Sequence, residues 1–209
     1  MNQFKIKFQD RIETFFDSAT SARQNTGLLT DVLDYANADP HRFKKEIKEL
    51  QFGSVLSSPL PVVLEALAVD TATWGEFYVD VLKEIFEKAR EVKKPKEILG
   101  YLMEFAFIEK DLLPFNQKIV DILMREAETD IVEIKIAAIN TLANYILNPS
   151  IGNKDLVKAV FISKLNDPSW KVRCFTYELL RVENILPQGQ RLSIKDQLLK
   201  LVFGSPSAI

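Results

Sequence analysis

The chain has 209 residues, enough for one domain with a sizeable core or for one helical array with a continuous core. Hydrophobic residues make up 47% and charged residues 27%, which excludes a disordered or fibrous protein. The 27 basic and 29 acidic side chains leave a net charge of -2, so no strong long-range field attracts nucleic acid or anionic lipid.

Targeting and redox signals are equally sparse. The N-terminal ten residues lack the apolar core and the small-residue cleavage site of a signal peptide. No apolar run approaches the length of a membrane span, because Gly100 and Glu104 interrupt the longest candidate, around 98–108. The lone Cys174 cannot form an internal disulfide, and the single histidine leaves no Cys/His cluster for zinc. These features predict a cytoplasmic protein without a membrane partner.

Helical periodicity runs from end to end and predicts an all-α protein. We expect an N-terminal capping helix over about 4–22, followed by helix pairs that proline, glycine and capping signals separate. The pairs span about 24–53, 59–91, 96–128, 131–166 and 169–203. Starts that advance by roughly 35 to 38 residues are typical of helical solenoids. The sequence therefore predicts one domain over 1–209, an α-solenoid of about four to five stacked hairpins.

Three helix starts carry a capping signal. Asp39 and Ser58 each stand directly before a proline, which combines a good N-cap residue with proline at the first helical position. Thr73 and Glu76 form a Thr-x-x-Glu capping box before the clearest helix, predicted over about 74–91.

Two later helices have more apolar surface than one neighbour can cover. The helix over about 98–108 is apolar almost all round, and its aromatic residues include Phe105. In the helix over about 169–184, one apolar stripe is predicted to contain Val172, Phe175, Leu179 and Val182. Neighbouring hairpins on both sides would supply the cover.

One motif repeats in the C-terminal half. An aspartate is followed six residues later by an arginine behind an aliphatic in Asp167-Pro168-Ser169-Trp170-Lys171-Val172-Arg173, with Leu179-Leu180 after it. An earlier copy, over 129–142, matches through Ile134-Lys135, but Thr129 stands at the aspartate position and the acid, Asp130, follows it. Upstream pairs share the helix lengths without the motif, so roughly a third of the chain matches explicitly.

This motif resembles the second half of a HEAT repeat. The resemblance implies an armadillo-type, HEAT-like superhelix. It also implies that Lys135, Asp167 and Arg173 belong to a structural ladder of hydrogen bonds between adjacent repeats; recognition of phosphate or carboxylate by Arg173 is the functional alternative.

The sequence contains few residues that could support catalysis. His41 is expected at the surface and Cys174 in the core, and no nucleotide-binding, nucleophile-elbow or zinc-protease motif is present. Acidic residues recur at helical spacing, as on solvated faces: Glu84 with Glu87, and Glu126 with Asp130. We therefore predict no catalytic, cofactor or metal site.

Charge is distributed unevenly along the chain. Eight acids accompany four bases between Tyr101 and Lys135, whereas nine bases accompany five acids between Lys154 and Leu201. Ion pairs between repeats would produce this pattern, and so would a binding surface with a basic C-terminal end. The second interpretation places a protein or peptide partner on Lys154, Lys158, Lys164, Lys171, Arg181, Arg191, Lys195 and Lys200.

The preferred function is a non-catalytic protein-binding module, a scaffold or an inhibitor, with a concave face lined by the second helix of each hairpin. An immunity-type inhibitor of a toxin is a more specific alternative that fits the size and charge. A HEAT-like DNA alkylation-repair glycosylase is the enzymatic alternative, for which only Asp70 with Trp74, or Trp170 with Arg173, are available. Nothing basic surrounds Asp70, and a phosphate-tracking groove needs several cations, so nucleic acid is not expected as a partner.

Overall fold

A computed structural model describes residues 2–17, 22–49, 59–93, 95–102, 113–146 and 154–206. Within these ranges the chain forms eleven helices and no strand, which confirms the all-α class. The helices are α1 (Gln3–Asp17), α2 (Ala22–Ala38), α3 (Pro40–Glu49), α4 (Leu60–Leu67), α5 (Thr71–Glu91), α6 (Pro95–Leu99), α7 (Leu113–Glu126), α8 (Val132–Ile146), α9 (Lys154–Lys164), α10 (Trp170–Val182) and α11 (Ile194–Phe203). None of these helices is both long and apolar enough to cross a bilayer.

The chain divides into two compact units, Met1–Tyr78 and Val79–Ile209. The boundary falls inside α5, so the first unit contains α1 to α4 and the start of α5. The second unit contains the remainder of α5 and the helices from α6 to α11. A single repeat domain over 1–209 stays a prediction.

The start of α5 differs from the prediction. Asp70 Oδ1 accepts the backbone N–H of Thr73 at 3.2 Å, and the helix begins at Thr71. Thr73 therefore lies inside the helix, and the capping box that we predicted for Thr73 and Glu76 is wrong. The cause is local: an aspartate three residues upstream satisfies the free N–H group first.

The other start signals have mixed outcomes. Asp39 caps α3 as predicted, since its Oδ1 accepts the N–H of Arg42 at 3.0 Å. The structure describes α1 as far as Asp17, and α2 begins at Ala22; residues 18–21 of the predicted N-terminal helix lie outside the described residues. Ser58, Phe105 and the parts of the predicted pairs at 50–58, 103–112 and 147–153 lie outside the described residues.

An aromatic cluster forms the core of the first unit. Trp74 is fully buried, and its indole N–H donates to Asn37 Oδ1 at 2.8 Å. Its ring meets Phe43 edge-on at 5.3 Å between centroids and Phe77 at 6.0 Å. Phe4, Phe8 and Tyr35 extend the cluster from α1 and α2. Burial of each large ring contributes about 2–3 kcal/mol to the stability of the unit.

In the second unit, α8 occupies the central position. It packs against α6, α7, α9 and α10, and α10 packs in turn against α9 and α11. A helix with four neighbours must be apolar on several sides, and Ala137 and Ala138 are small enough to let those neighbours approach closely. The sequence of α8, rich in isoleucine and alanine, follows from this position.

The buried face of α10 is not the predicted stripe. Val172 is buried as expected, but the face continues through Thr176 and Leu180, with Cys174 beside it. By contrast, Val182 is 67% exposed. Because α10 contacts α8, α9 and α11, the residues at i, i+4 and i+8 (Val172, Thr176 and Leu180) are buried, although one of them is a threonine.

Two ion pairs lie at the ends of helices in the second unit, and their partners are equally far apart in the chain. Arg90 in the last turn of α5 pairs with Glu126 at the end of α7, and Lys164 at the end of α9 pairs with Glu128. Each pair joins residues 36 positions apart. Glu126 is buried by this contact, so it does not belong to a solvated acidic face.

Candidate binding groove

The predicted ladder residues lie close together between α8 and α10. Lys135 Nζ donates to Asp167 Oδ2 at 2.7 Å, and both side chains are almost completely buried. Asp167 Oδ1 accepts the backbone N–H of Ser169 at 2.8 Å, which fixes the turn that leads into α10. Asp167 thus serves as the counter-ion of Lys135 and as a support for this turn.

Arg173 extends the network to α11. Its Nη1 donates to the backbone oxygens of Asp167 at 2.6 Å and Pro168 at 2.9 Å. Its Nε and Nη2 bind the two carboxylate oxygens of Asp196 at 2.8 and 2.6 Å, a bidentate pair. The sequence reasoning missed Asp196, although Ser193-x-x-Asp196 is a capping spacing and the Ser193 hydroxyl accepts the Asp196 N–H at 3.0 Å.

The pair makes stability depend on pH. Hydrogen bonds from Arg173 hold the pKa of Asp196 below its ordinary value of 3.8, so folding favours the ionised form. This contribution is complete above the ordinary pKa and is lost as the pH falls through the lower pKa of the folded state. We therefore expect the free energy of unfolding to decline as the pH falls below about 4.

Urea denaturation at a series of pH values between 7 and 3 measures this effect in the wild type and in Asp196→Asn. The variant should show a shallower decline, and it should keep part of the slope because Lys200 likewise lowers the pKa of Glu178. An identical slope in both proteins would contradict the assignment to Asp196.

The eight cations of the predicted partner surface fall into two groups. Lys164 is buried against Glu128, which leaves it unavailable to a partner. Arg181 and Lys200 both pair with Glu178. The other five form no ion pair with the part of the chain that the structure describes: Lys154, Lys158, Lys171, Arg191 and Lys195.

A groove of about 520 Å³ opens at the N-terminal ends of α8 and α10, beside the end of α11. The rings of Trp170 and Phe203 lie in it with centroids 6.1 Å apart and planes tilted by 39°. Phe203 is 70% exposed. Gly204 ends α11 with a φ of 81°, a conformation that glycine adopts freely, and residues 204–206 complete the lining.

Further side chains give the groove an apolar wall and opposite charges. Val132 and Ile136 of α8 supply aliphatic surface, while Glu133 supplies an anion and Lys96 and Lys171 supply two cations. Glu133 and Lys171 form no ion pair with another described residue. Trp170, which we considered from the sequence only with Arg173 for a glycosylase, therefore contributes to an open site that the sequence did not reveal.

The residues considered for catalysis lie elsewhere. His41 is exposed, and Cys174 is fully buried, where desolvation raises the pKa of its thiol. Asp70 caps α5 and Trp74 belongs to the aromatic core, so the first pair considered for a glycosylase is engaged in structure. Within the described ranges, no three His, Cys, Asp or Glu side chains come together as a metal site would require.

The fold and the site thus define an all-α protein with an open groove lined by aromatic and charged side chains. No family model, curated protein or solved structure matches the chain significantly. The chemistry of the groove is therefore the guide to function.

Proposed function

We propose that this protein is a non-catalytic protein-binding module of stacked, HEAT-like hairpins, and that its groove holds a segment of a partner protein. The observation that carries the proposal is the pair of aromatic rings, Trp170 and Phe203, in an open groove beside the charges of Glu133 and Lys171. Exposed aromatic anchors in concave sites contribute much of the binding energy at protein interfaces.

The hairpin arrangement has its own support. Each of the two ion pairs at the helix ends joins residues 36 positions apart, a separation within the range of helical repeats. Lys135 with Asp167, and Arg173 with Asp196, link successive elements in the manner that the HEAT resemblance implies. These charges are satisfied internally, so they stabilise the array and leave partner binding to other residues.

The groove suits one or two side chains of a partner. Its volume of about 520 Å³ lies within the range of specific binding sites. An apolar side chain of the partner would cover the exposed ring of Phe203. The burial of this ring would contribute about 2 kcal/mol to the free energy of binding. Lys171 and Glu133 would then orient the partner through charges of opposite sign.

Peptide display tests this proposal directly. Random peptides are selected on the immobilised protein, and the affinity of the enriched peptides is measured for the wild type and for Phe203→Ala. We expect the variant to bind roughly 5- to 30-fold more weakly, since it lacks an aromatic anchor worth about 1–2 kcal/mol. Its thermal stability should be nearly unchanged because Phe203 is mostly exposed.

Val69→Ala is the matched control, because Val69 is a similarly exposed apolar residue in the first unit. It should leave the affinity of the selected peptides unchanged. Selection of no peptide, or equal affinity of the wild type and Phe203→Ala, would overturn the proposed role of the groove.

A further inference from the structure

The helix α11 exposes its aliphatic residues and buries its acid. Its aliphatic residues Ile194, Leu198, Leu201 and Val202 are 78%, 57%, 82% and 71% exposed. Its single acid, Asp196, is 2% exposed and binds Arg173. A helix normally places such residues the other way round.

The four exposed residues form one surface, which we call the α11 face. At 3.6 residues per turn they lie within an arc of about 100°, and Ile194, Leu198 and Val202 form an i, i+4, i+8 ridge. Asp196 and Phe203 point to the opposite side of the helix, toward Arg173 and the groove. The α11 face is therefore separate from the groove.

Positive charge predominates in the segment of the chain that contains the α11 face. Residues 170–206 contain six bases and three acids, although the whole chain is slightly acidic. Two of these acids are neutralised: Glu178 pairs with Lys200 and Arg181, and Asp196 pairs with Arg173. Arg191 and Lys195 at the start of α11 remain exposed and without an ion pair to any described residue.

We propose that the α11 face binds an acidic amphipathic helix of a partner protein. A ridge at i±4n spacing is the element that fits between the ridges of a second helix. Glutamates or aspartates beside the apolar stripe of that helix would meet Lys195 and Arg191. Charge complementarity thus selects an acidic helix and disfavours a basic one.

Two other occupants fit less well. A second copy of this chain would offer no acid from its own α11 face to meet Lys195, because the one acid of α11, Asp196, is buried against Arg173. A bilayer surface is usually bound by helices with aromatic residues on the apolar side, whereas Phe203 lies on the other side of α11. Both occupants become outcomes of the experiment.

The probe is a synthetic helical peptide of about four turns, with leucines at i, i+4 and i+7 and glutamates on both flanks. A matched peptide carries lysines in place of the glutamates. Fluorescence anisotropy at low and high salt should show at least about 10-fold tighter binding of the glutamate peptide, with the difference reduced by salt. Leu198→Glu and Leu201→Glu, both at exposed positions, should each weaken this binding about 10-fold or more.

Failure of this proposal is distinguishable from failure of the groove. Phe203→Ala should leave the glutamate peptide bound, and Leu198→Glu should leave the peptides selected on the groove bound. Equal affinity for the two helical peptides, or binding of neither, would overturn the proposal. So would dimerisation that Leu198→Glu abolishes in sedimentation velocity, or tighter binding to phosphatidylserine vesicles than to the glutamate peptide.

Discussion

Replacing Asp167 with alanine is expected to lower the free energy of unfolding by about 3–5 kcal/mol. The variant leaves the Lys135 ammonium group almost buried without its counter-ion, and it removes the acceptor of the Ser169 N–H group. A typical domain has a total stability of about 5–15 kcal/mol, so this is a large fraction. Urea denaturation followed by circular dichroism gives the measurement.

Asp130→Ala is the control for this experiment, since Asp130 is an exposed acid at nearly the same position of the preceding motif. It should change the stability by less than about 0.5 kcal/mol. If Asp167→Ala is unfolded, Asp167→Asn combined with Lys135→Met removes both charges and should restore much of the stability, because no unpaired ion is left. A loss below about 1 kcal/mol in Asp167→Ala would contradict the buried ion pair.

Trp74→Ala is expected to be equally damaging in the first unit, with a loss of about 3–5 kcal/mol. The substitution opens a cavity among Phe43 and Phe77, and it leaves Asn37 Oδ1 without its donor. Trp74→Phe also lacks the indole N–H but keeps most of the ring volume, so it should cost less. The difference in stability between the two variants measures the packing contribution, and the loss that remains in Trp74→Phe includes the hydrogen bond.

The second tryptophan of the chain supplies the comparison. Trp170 is only partly buried in the groove, and Trp170→Ala should cost about 1 kcal/mol. Guanidinium denaturation followed by far-ultraviolet circular dichroism avoids the loss of tryptophan fluorescence. Equal losses for Trp74→Ala and Trp170→Ala would contradict the central place of Trp74 in the aromatic core.

Local signals in the sequence predicted the helices well. Helical periodicity, the prolines and the cap at Asp39 each involve residues a few positions apart, and the helices from α7 to α11 lie within the predicted pairs over about 96–128, 131–166 and 169–203. The motif at 167–173 likewise drew attention to Lys135, Asp167 and Arg173, which the structure brings into one hydrogen-bond network. Arg173 nevertheless binds the backbone oxygen of Asp167, while its carboxylate partner is Asp196.

The binding surfaces depended on contacts that the sequence pattern does not contain. A stripe of aliphatic residues in α11 is typical of a core-facing helix, yet Asp196 is drawn inward by Arg173 and the stripe faces solvent. The groove likewise arises where Trp170 meets Phe203, thirty-three positions later in the chain. Tertiary contacts decide which apolar faces are covered, because coverage depends on neighbours that are distant in the sequence.

By itself, then, the sequence predicted an all-helical chain and the cap of α3, and its HEAT resemblance drew attention to Lys135, Asp167 and Arg173 but not to Asp196. Periodicity and capping within a few residues are sufficient to predict the helices. Only the tertiary structure decided that Phe203 and the α11 face are exposed, and that Lys164 is withdrawn from the basic surface by Glu128. The physical reason is that burial and ion pairing belong to pairs of elements, whereas the pattern of one segment describes a single element.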